Sequence, residues 1–143
     1  MINRDEVRKV LIQSRRPTFG AHLKFLRVEA GLSLRQLAER AGLSHPYVHD
    51  LERDRRHPSE AAIHKLAKAI PDGEDASQKL DVRLGVFYTL SGTLGEDATH
   101  YLSHTPDAID LIRLIASRNL TQRQISRVFQ FVDSLSRAEG NET

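Results

Sequence analysis

Apolar residues recur along this 143-residue chain at three- and four-residue steps, the period of an α-helix, and helix punctuation falls between the runs. Asn3 is placed to cap a first short helix with Val7, Val10 and Leu11 on one face, ending before Arg15-Arg16-Pro17. Thr18 caps a second, whose inner stripe is Phe19, Leu23, Leu26 and Ala30. Gly31 then stands where a left-handed C-terminal residue is expected. Ser33 with Gln36 is the S-x-x-Q form of the capping box, opening a helix lined by Leu34, Leu37, Ala38 and Ala41. Gly42 ends it. Ser44 caps the next helix, which tolerates Pro46 in its first turn and turns Val48 and Leu51 inward. Pro58-Ser59 opens another, with Ile63, Leu66, Ala67 and Ile70 on one face.

Pro71-Asp72-Gly73 marks a turn, and Leu80, Leu84 and Phe87 predict a helix from Ala76 to Tyr88. Ser91-Gly92-Thr93-Leu94-Gly95 is the clearest linker. Past it, residues 107–117 and 121–137 read as helical. The last begins at Thr121 and carries Ile125, Val128, Phe129, Val132 and Leu135, a stripe suited to a core or to a dimer interface. The pattern is all-α.

The corner Ala41-Gly42-Leu43-Ser44 carries a specific geometry. Gly42 permits positive φ and Leu43 can drop into the core, so two short helices cross steeply through a tight turn, as in a helix-turn-helix unit. The second helix presents His45, Pro46, Tyr47, His49 and Asp50 away from Val48 and Leu51. Arg53, Arg55 and Arg56 follow at its end. A helix of this size fits the DNA major groove, and flanking guanidinium groups can hold phosphates.

Charge strengthens that picture. The net charge is only +2. Residues 15–70, however, hold eleven basic against six acidic side chains, whereas residues 71–143 hold seven against eleven. A cationic middle beside an acidic tail points to a polyanion partner for the middle alone. With no cysteine, disulfides and thiolate metal sites are excluded, and a reducing cytoplasm is the expected location. No apolar run reaches the roughly 18 residues of a membrane helix, and the N-terminus lacks a signal-peptide layout. His100 and His104 are spaced i, i+4 with no third ligand in view, and Asp107 with Asp110 reads as a helix N-terminal charge pair. There is no phosphate-binding glycine loop, nucleophile elbow or H-E-x-x-H. No enzymatic activity, cofactor or metal is expected.

Residues 19–70 resemble the lambda-repressor-like domain of the XRE (Cro and phage-repressor) family of DNA-binding regulators. The resemblance runs through Leu23-x-x-Leu26-Arg27-x-x-Ala30-Gly31-Leu32-Ser33 and Leu37-Ala38-x-x-Ala41-Gly42-Leu43-Ser44. It continues in Tyr47-Val48-x-x-Leu51-Glu52-Arg53 and ends at Pro58-Ser59. It implies an internal ion pair between Arg27 and Glu52 that ties the first domain helix to the recognition helix. It also implies base contacts from His45, Pro46, Tyr47 and His49, and backbone contacts from Arg35, Ser44, Arg53, Arg55 and Arg56. Two positions depart from the family. Leu34 stands where many relatives have a DNA-contacting Gln, and Asp54 where many have Gly, which suggests a slightly different loop.

The expected architecture is an N-terminal helical extension (1–16), a helix-turn-helix DNA-binding domain (17–72) and a C-terminal helical dimerisation region (73–143). The expected function is that of a transcriptional regulator, a repressor that binds double-stranded DNA. A homodimer joined through Ile125, Val128, Phe129, Val132 and Leu135 would place two recognition helices, 44–53, on a palindromic operator. The rival is an antitoxin or other protein-interaction module with autoregulatory DNA binding, its C-terminal region taking a protein partner.

Overall fold

The computed structural model describes residues 3–13, 17–72 and 76–139. Among these every regular element is a helix. Residues 14–16 and 73–75, where the sequence places a helix stop and a turn, lie outside the described residues.

The chain divides into two units, 1–96 and 97–143. In the first unit, α1 (Arg4–Gln13), α2 (Phe19–Glu29), α3 (Leu34–Ala41), α4 (His45–Glu52), α5 (Glu60–Ala69) and α6 (Ala76–Ser91) follow in order. Local chemistry starts and stops them. The Asn3 side chain accepts the N–H groups of Asp5 and Glu6, and Thr18 accepts that of Ala21. Ser33 and Gln36 form the reciprocal capping box, and Ser59 accepts the N–H of Ala62. These bonds satisfy amide donors that a bare helix end leaves orphaned.

The core lies where α2 to α6 converge. Leu23, Leu37, Val48, Leu51, Ile63, Leu66 and Phe87 are fully buried there. Phe87 meets Phe19 edge-on, with ring centres 5.1 Å apart. A smaller cluster of Val7, Leu11 and Val86 seats α1 on α6.

The sequence reading puts a boundary near residue 73, yet α6 beyond it packs on α1, α2 and α5. The reason is a buried guanidinium. Arg83 donates to the carbonyls of Ala67 and Ile70 at 2.8 and 3.3 Å and forks onto the Asp72 carboxylate. It thereby satisfies carbonyls at the open end of α5 while its own charge is paired. Tyr88 adds a 2.5 Å bond between its hydroxyl and His64 Nε2. Helix α6 also runs three residues beyond the expected Tyr88. It closes at Gly92, φ +70°, where the Thr93 N–H returns to the Tyr88 carbonyl at 3.0 Å.

Among the described residues of this unit, one polar side chain is buried without a full set of partners. His22 is 4% exposed, stacks on Phe25 and meets Phe87 edge-on, and its Nδ1 has no hydrogen bond. Burial, reinforced by the Arg83 charge, holds its pKa below the ordinary histidine value.

The second unit holds α7 (Glu96–His104, which begins at the junction), α8 (Pro106–Ser117) and α9 (Gln122–Glu139). Helix α7 is not anticipated by the sequence pattern. It buries no side chain, its apolar residues Ala98, Tyr101 and Leu102 span only a single turn, and acidic Glu96 and Asp97 in its first turn suit the helix dipole. No described side chain of residues 97–139 is buried, and none of the three helices packs closely on another.

Candidate nucleic-acid interface

The α3–α4 corner forms as its sequence dictates. Gly42 takes φ +64°, and the Leu43 N–H closes onto the Ala38 carbonyl at 3.0 Å. Ser44 then accepts the Tyr47 N–H, and Pro46 sits in the first turn, where its missing donor costs nothing. Val48 and Leu51 are fully buried, which fixes the rotation of α4 and turns His45, Pro46 and His49 to the other side.

Three ties set the position of α4. Arg27 grips Glu52 through Nε–Oε1 at 2.5 Å and Nη2–Oε2 at 3.1 Å, and its Nη1 donates to the Leu32 carbonyl at 2.9 Å. Both side chains are nearly buried, at 13% and 7% exposure, so each charge depends on the other. The pairing is the one the resemblance implies. The second tie joins the Gly20 N–H to Asp54 Oδ1 at 2.9 Å. The third joins the Ser59 N–H to the Tyr47 hydroxyl at 3.4 Å.

Neither Gly20 nor Asp54 is picked out as a site residue by the sequence reading. A Cβ on Gly20 would lie 2.4 Å from the Leu51 carbonyl oxygen, so only glycine lets α2 approach the end of α4. Asp54 has φ +56°, the left-handed region that glycine enters freely. The aspartate where many relatives have Gly thus takes a glycine-like backbone conformation. The readable signal was that substitution itself, since Asp is among the few residues that tolerate this region.

The outward surface of α4 is ring-bearing, and the cationic side chains Arg53, Arg55 and Arg56 follow it. His45 and His49 stand in nearly parallel planes, 12° apart, with centroids 6.5 Å apart. Tyr47 is half-buried against the core, and the Arg56 guanidinium lies 5.8 Å above its ring. Arg56 also approaches Asp50 at 3.9 Å. Tyr47, assigned a base contact by resemblance, thus already holds both the start of α5 and Arg56. Arg53 and Arg55 are exposed beyond the helix end. Arg35, on α3, is exposed and pairs with Glu39 at 3.2 Å. His45, Pro46 and His49 lie along α4 and Arg53, Arg55 and Arg56 directly after it, all in the first unit; Ile125, Val128, Phe129, Val132 and Leu135 belong to the other unit.

His100 and His104 face one another across a helical turn, 4.4 Å between centroids, but His104 Nδ1 is engaged with the His100 carbonyl. No group of three metal-ligating side chains occurs among the described residues.

Comparison with known proteins agrees with this geometry. The family described as helix-turn-helix domain matches residues 18–70. An uncharacterised HTH-type transcriptional regulator of Mycobacterium tuberculosis, found in two strains, is 35% identical over 105 residues. The match covers 73% of this chain and 62% of the relative, so the chain spans less than two thirds of that protein. An immunity repressor protein of Bacillus phage phi105 is 43% identical over 53 residues, 37% of each chain. No solved structure matches significantly. Residues 18–70, which carry the corner, its caps and the Arg27–Glu52 pair, are thus similar to the DNA-binding domain of XRE-like helix-turn-helix regulators.

Proposed function

We propose that this chain is a transcriptional regulator that binds specific double-stranded DNA, acting as a repressor in the cytoplasm. The observation that carries the proposal is the outward face of α4. His45, Pro46 and His49 stand on a helix whose orientation is locked by Arg27–Glu52, and Arg53, Arg55 and Arg56 are exposed at its end. In this reading α4 enters the major groove, and the imidazoles and Pro46 meet base edges. Tyr47 meets DNA only with its remaining edge. The arginines, Arg35 and the Ser44-capped start of α4 bind phosphate. The mechanism is binding alone.

One α4 offers few base contacts, each worth about 1–3 kcal/mol of discrimination. A homodimer joined through the stripe Ile125, Val128, Phe129, Val132 and Leu135 doubles them and selects a palindrome. Selection from a random DNA library at two salt concentrations tests the whole reading. A palindromic consensus that survives the higher salt supports it. Binding that enriches no sequence and vanishes with salt would overturn it, since backbone contact alone is salt-sensitive.

The unburied apolar side chains of α8 and α9 also suit a second reading, an antitoxin-like module whose C-terminal helices cover a protein partner. A toxin-like reading frame beside the gene, with a product that co-purifies with this chain, would favour it.

A further inference from the structure

We infer that His100 and His104 together chelate one divalent cation of the nickel(II) or copper(II) class on the exposed side of α7. The i, i+4 spacing by itself promises no ion, because two side chains so spaced can still point apart. The geometry of the two rings carries the inference.

The chain holds two histidine pairs at this spacing, and they differ. An ion bound to an imidazole nitrogen lies about 3.2 Å from the ring centre, a bond of roughly 2.0–2.1 Å plus about 1.1 Å within the ring. Two rings on one ion can therefore have centres at most about 6.4 Å apart. His45 and His49 on α4, with centroids 6.5 Å apart, lie at that limit and form no bent chelate as they stand. His100 and His104 have centroids 4.4 Å apart and planes tilted by 42°. That separation corresponds to an angle of about 87° at a shared ion, the angle between neighbouring ligands in octahedral and square-planar shells. A tetrahedral angle would need centres about 5.2 Å apart, so the pair suits nickel(II) or copper(II) better than zinc(II).

The hydrogen bonds around His104 point the same way. Its Nδ1 lies 2.9 Å from the His100 carbonyl oxygen and 3.0 Å from Ser103 Oγ, whose own proton goes to that carbonyl at 2.7 Å. Both neighbours accept, so Nδ1 carries the proton and the Nε2 lone pair is left for a ligand bond. A ligating histidine commonly donates its other ring N–H to a backbone carbonyl, which fixes the tautomer and the ring direction before the ion arrives. Both side chains are exposed, so an ion reaches them without rearrangement of the fold. No third metal-ligating side chain joins them among the described residues, which leaves the other positions to water. Such an ion exchanges readily, unlike one held by the four protein ligands of a structural site.

Calorimetric titration of the full-length protein with nickel(II) tests the site. Three variants are titrated beside the unmodified chain: His100→Asn, His104→Asn, and Tyr101→His combined with His104→Asn. The last keeps two imidazoles but sets them at i, i+1, where side chains do not face each other. The expected result is one ion per unmodified chain, with the dissociation constant raised about 10-fold or more in all three variants, because each loses the second arm of the chelate. Binding by either single variant as tight as that of the unmodified protein would overturn the inference. So would equally tight binding by the shifted pair, since any two nearby imidazoles would then suffice. Absence of saturation by the unmodified protein up to about 1 mM nickel(II) would also refute it. Loss of the ion in His45→Asn with none in His104→Asn would place it on α4 and refute it as well.

Discussion

Asp54 and Gly20 are joined across 34 residues of sequence by one hydrogen bond, the Gly20 N–H to Asp54 Oδ1 at 2.9 Å. The bond closes the first turn of α2 onto the loop that follows α4. Both residues are conformationally specialised, one by having no Cβ and the other by its positive φ. Gly20→Ala is expected to destabilise the domain by about 2–3 kcal/mol, because the added carbon meets backbone that cannot step aside. Asp54→Gly loses the bond but relieves the backbone, so its change should be small. Asp54→Ala loses the bond and keeps the strain, at about 1–3 kcal/mol. Urea unfolding orders the three. Equal stability for the Gly and Ala variants at position 54 would contradict the strained turn.

The Arg27–Glu52 pair leads to a second expectation. Glu52→Ala strands a guanidinium that is 13% exposed, and breaking such a pair costs about 3–5 kcal/mol. Replacing both partners, Arg27→Met with Glu52→Leu, removes the stranded charge and should recover most of that loss. A double variant as unstable as Glu52→Ala would show that Arg27 matters through its bond to the Leu32 carbonyl instead.

If α4 reads DNA, Arg55 and His45 must fail differently. Arg55→Ala should weaken binding to all sequences alike and lower the salt slope by about 0.9. His45→Ala should relax the preference at one operator position by about 1–3 kcal/mol and leave the slope unchanged. Both side chains are exposed, so neither substitution should move the melting temperature. Titration of consensus and single-mismatch operators at several salt concentrations separates the two effects.

His22 makes stability depend on pH in a definite direction. Its pKa is lower in the folded state than in the unfolded chain, so the unfolded chain binds more protons between the two values. The contribution of a neutral His22 is complete above the unfolded value of about 6.5 and declines as pH falls below it. Melting temperature should therefore drop from pH 7.5 to pH 5.5 more steeply in the unmodified protein than in His22→Leu. Parallel slopes would show that other groups carry the acid sensitivity.

The helices of the first unit were legible because caps and apolar periods agreed. Ser33 with Gln36, Gly42 and Ser44 each announced a boundary, and Leu37, Val48 and Leu51 announced the inner faces between them. The Arg27–Glu52 pair was legible only through resemblance, since 25 residues separate its partners and no local period links them. The ties Gly20–Asp54, Tyr47–Ser59 and Arg83–Asp72 were not legible. Each depends on how two helices meet, which follows from the packed core and from no single segment. Helix α7 escaped notice for a different reason: it buries no side chain, and its apolar residues Ala98, Tyr101 and Leu102 span only a single turn.

The seat of α6 bears on how this chain can be divided. The match to the helix-turn-helix domain stops at residue 70, while Phe87 and the Arg83 fork lie well past it. A fragment cut at residue 70 keeps the whole reading head but opens a hole the size of a phenyl ring and bares the carbonyl end of α5. The transplantable cassette is longer than its motif. A chimaera joined at the 96/97 junction should fold like the parent's first unit and read a single half-site, whereas one spliced at 70 should express as a loosened, aggregation-prone reader.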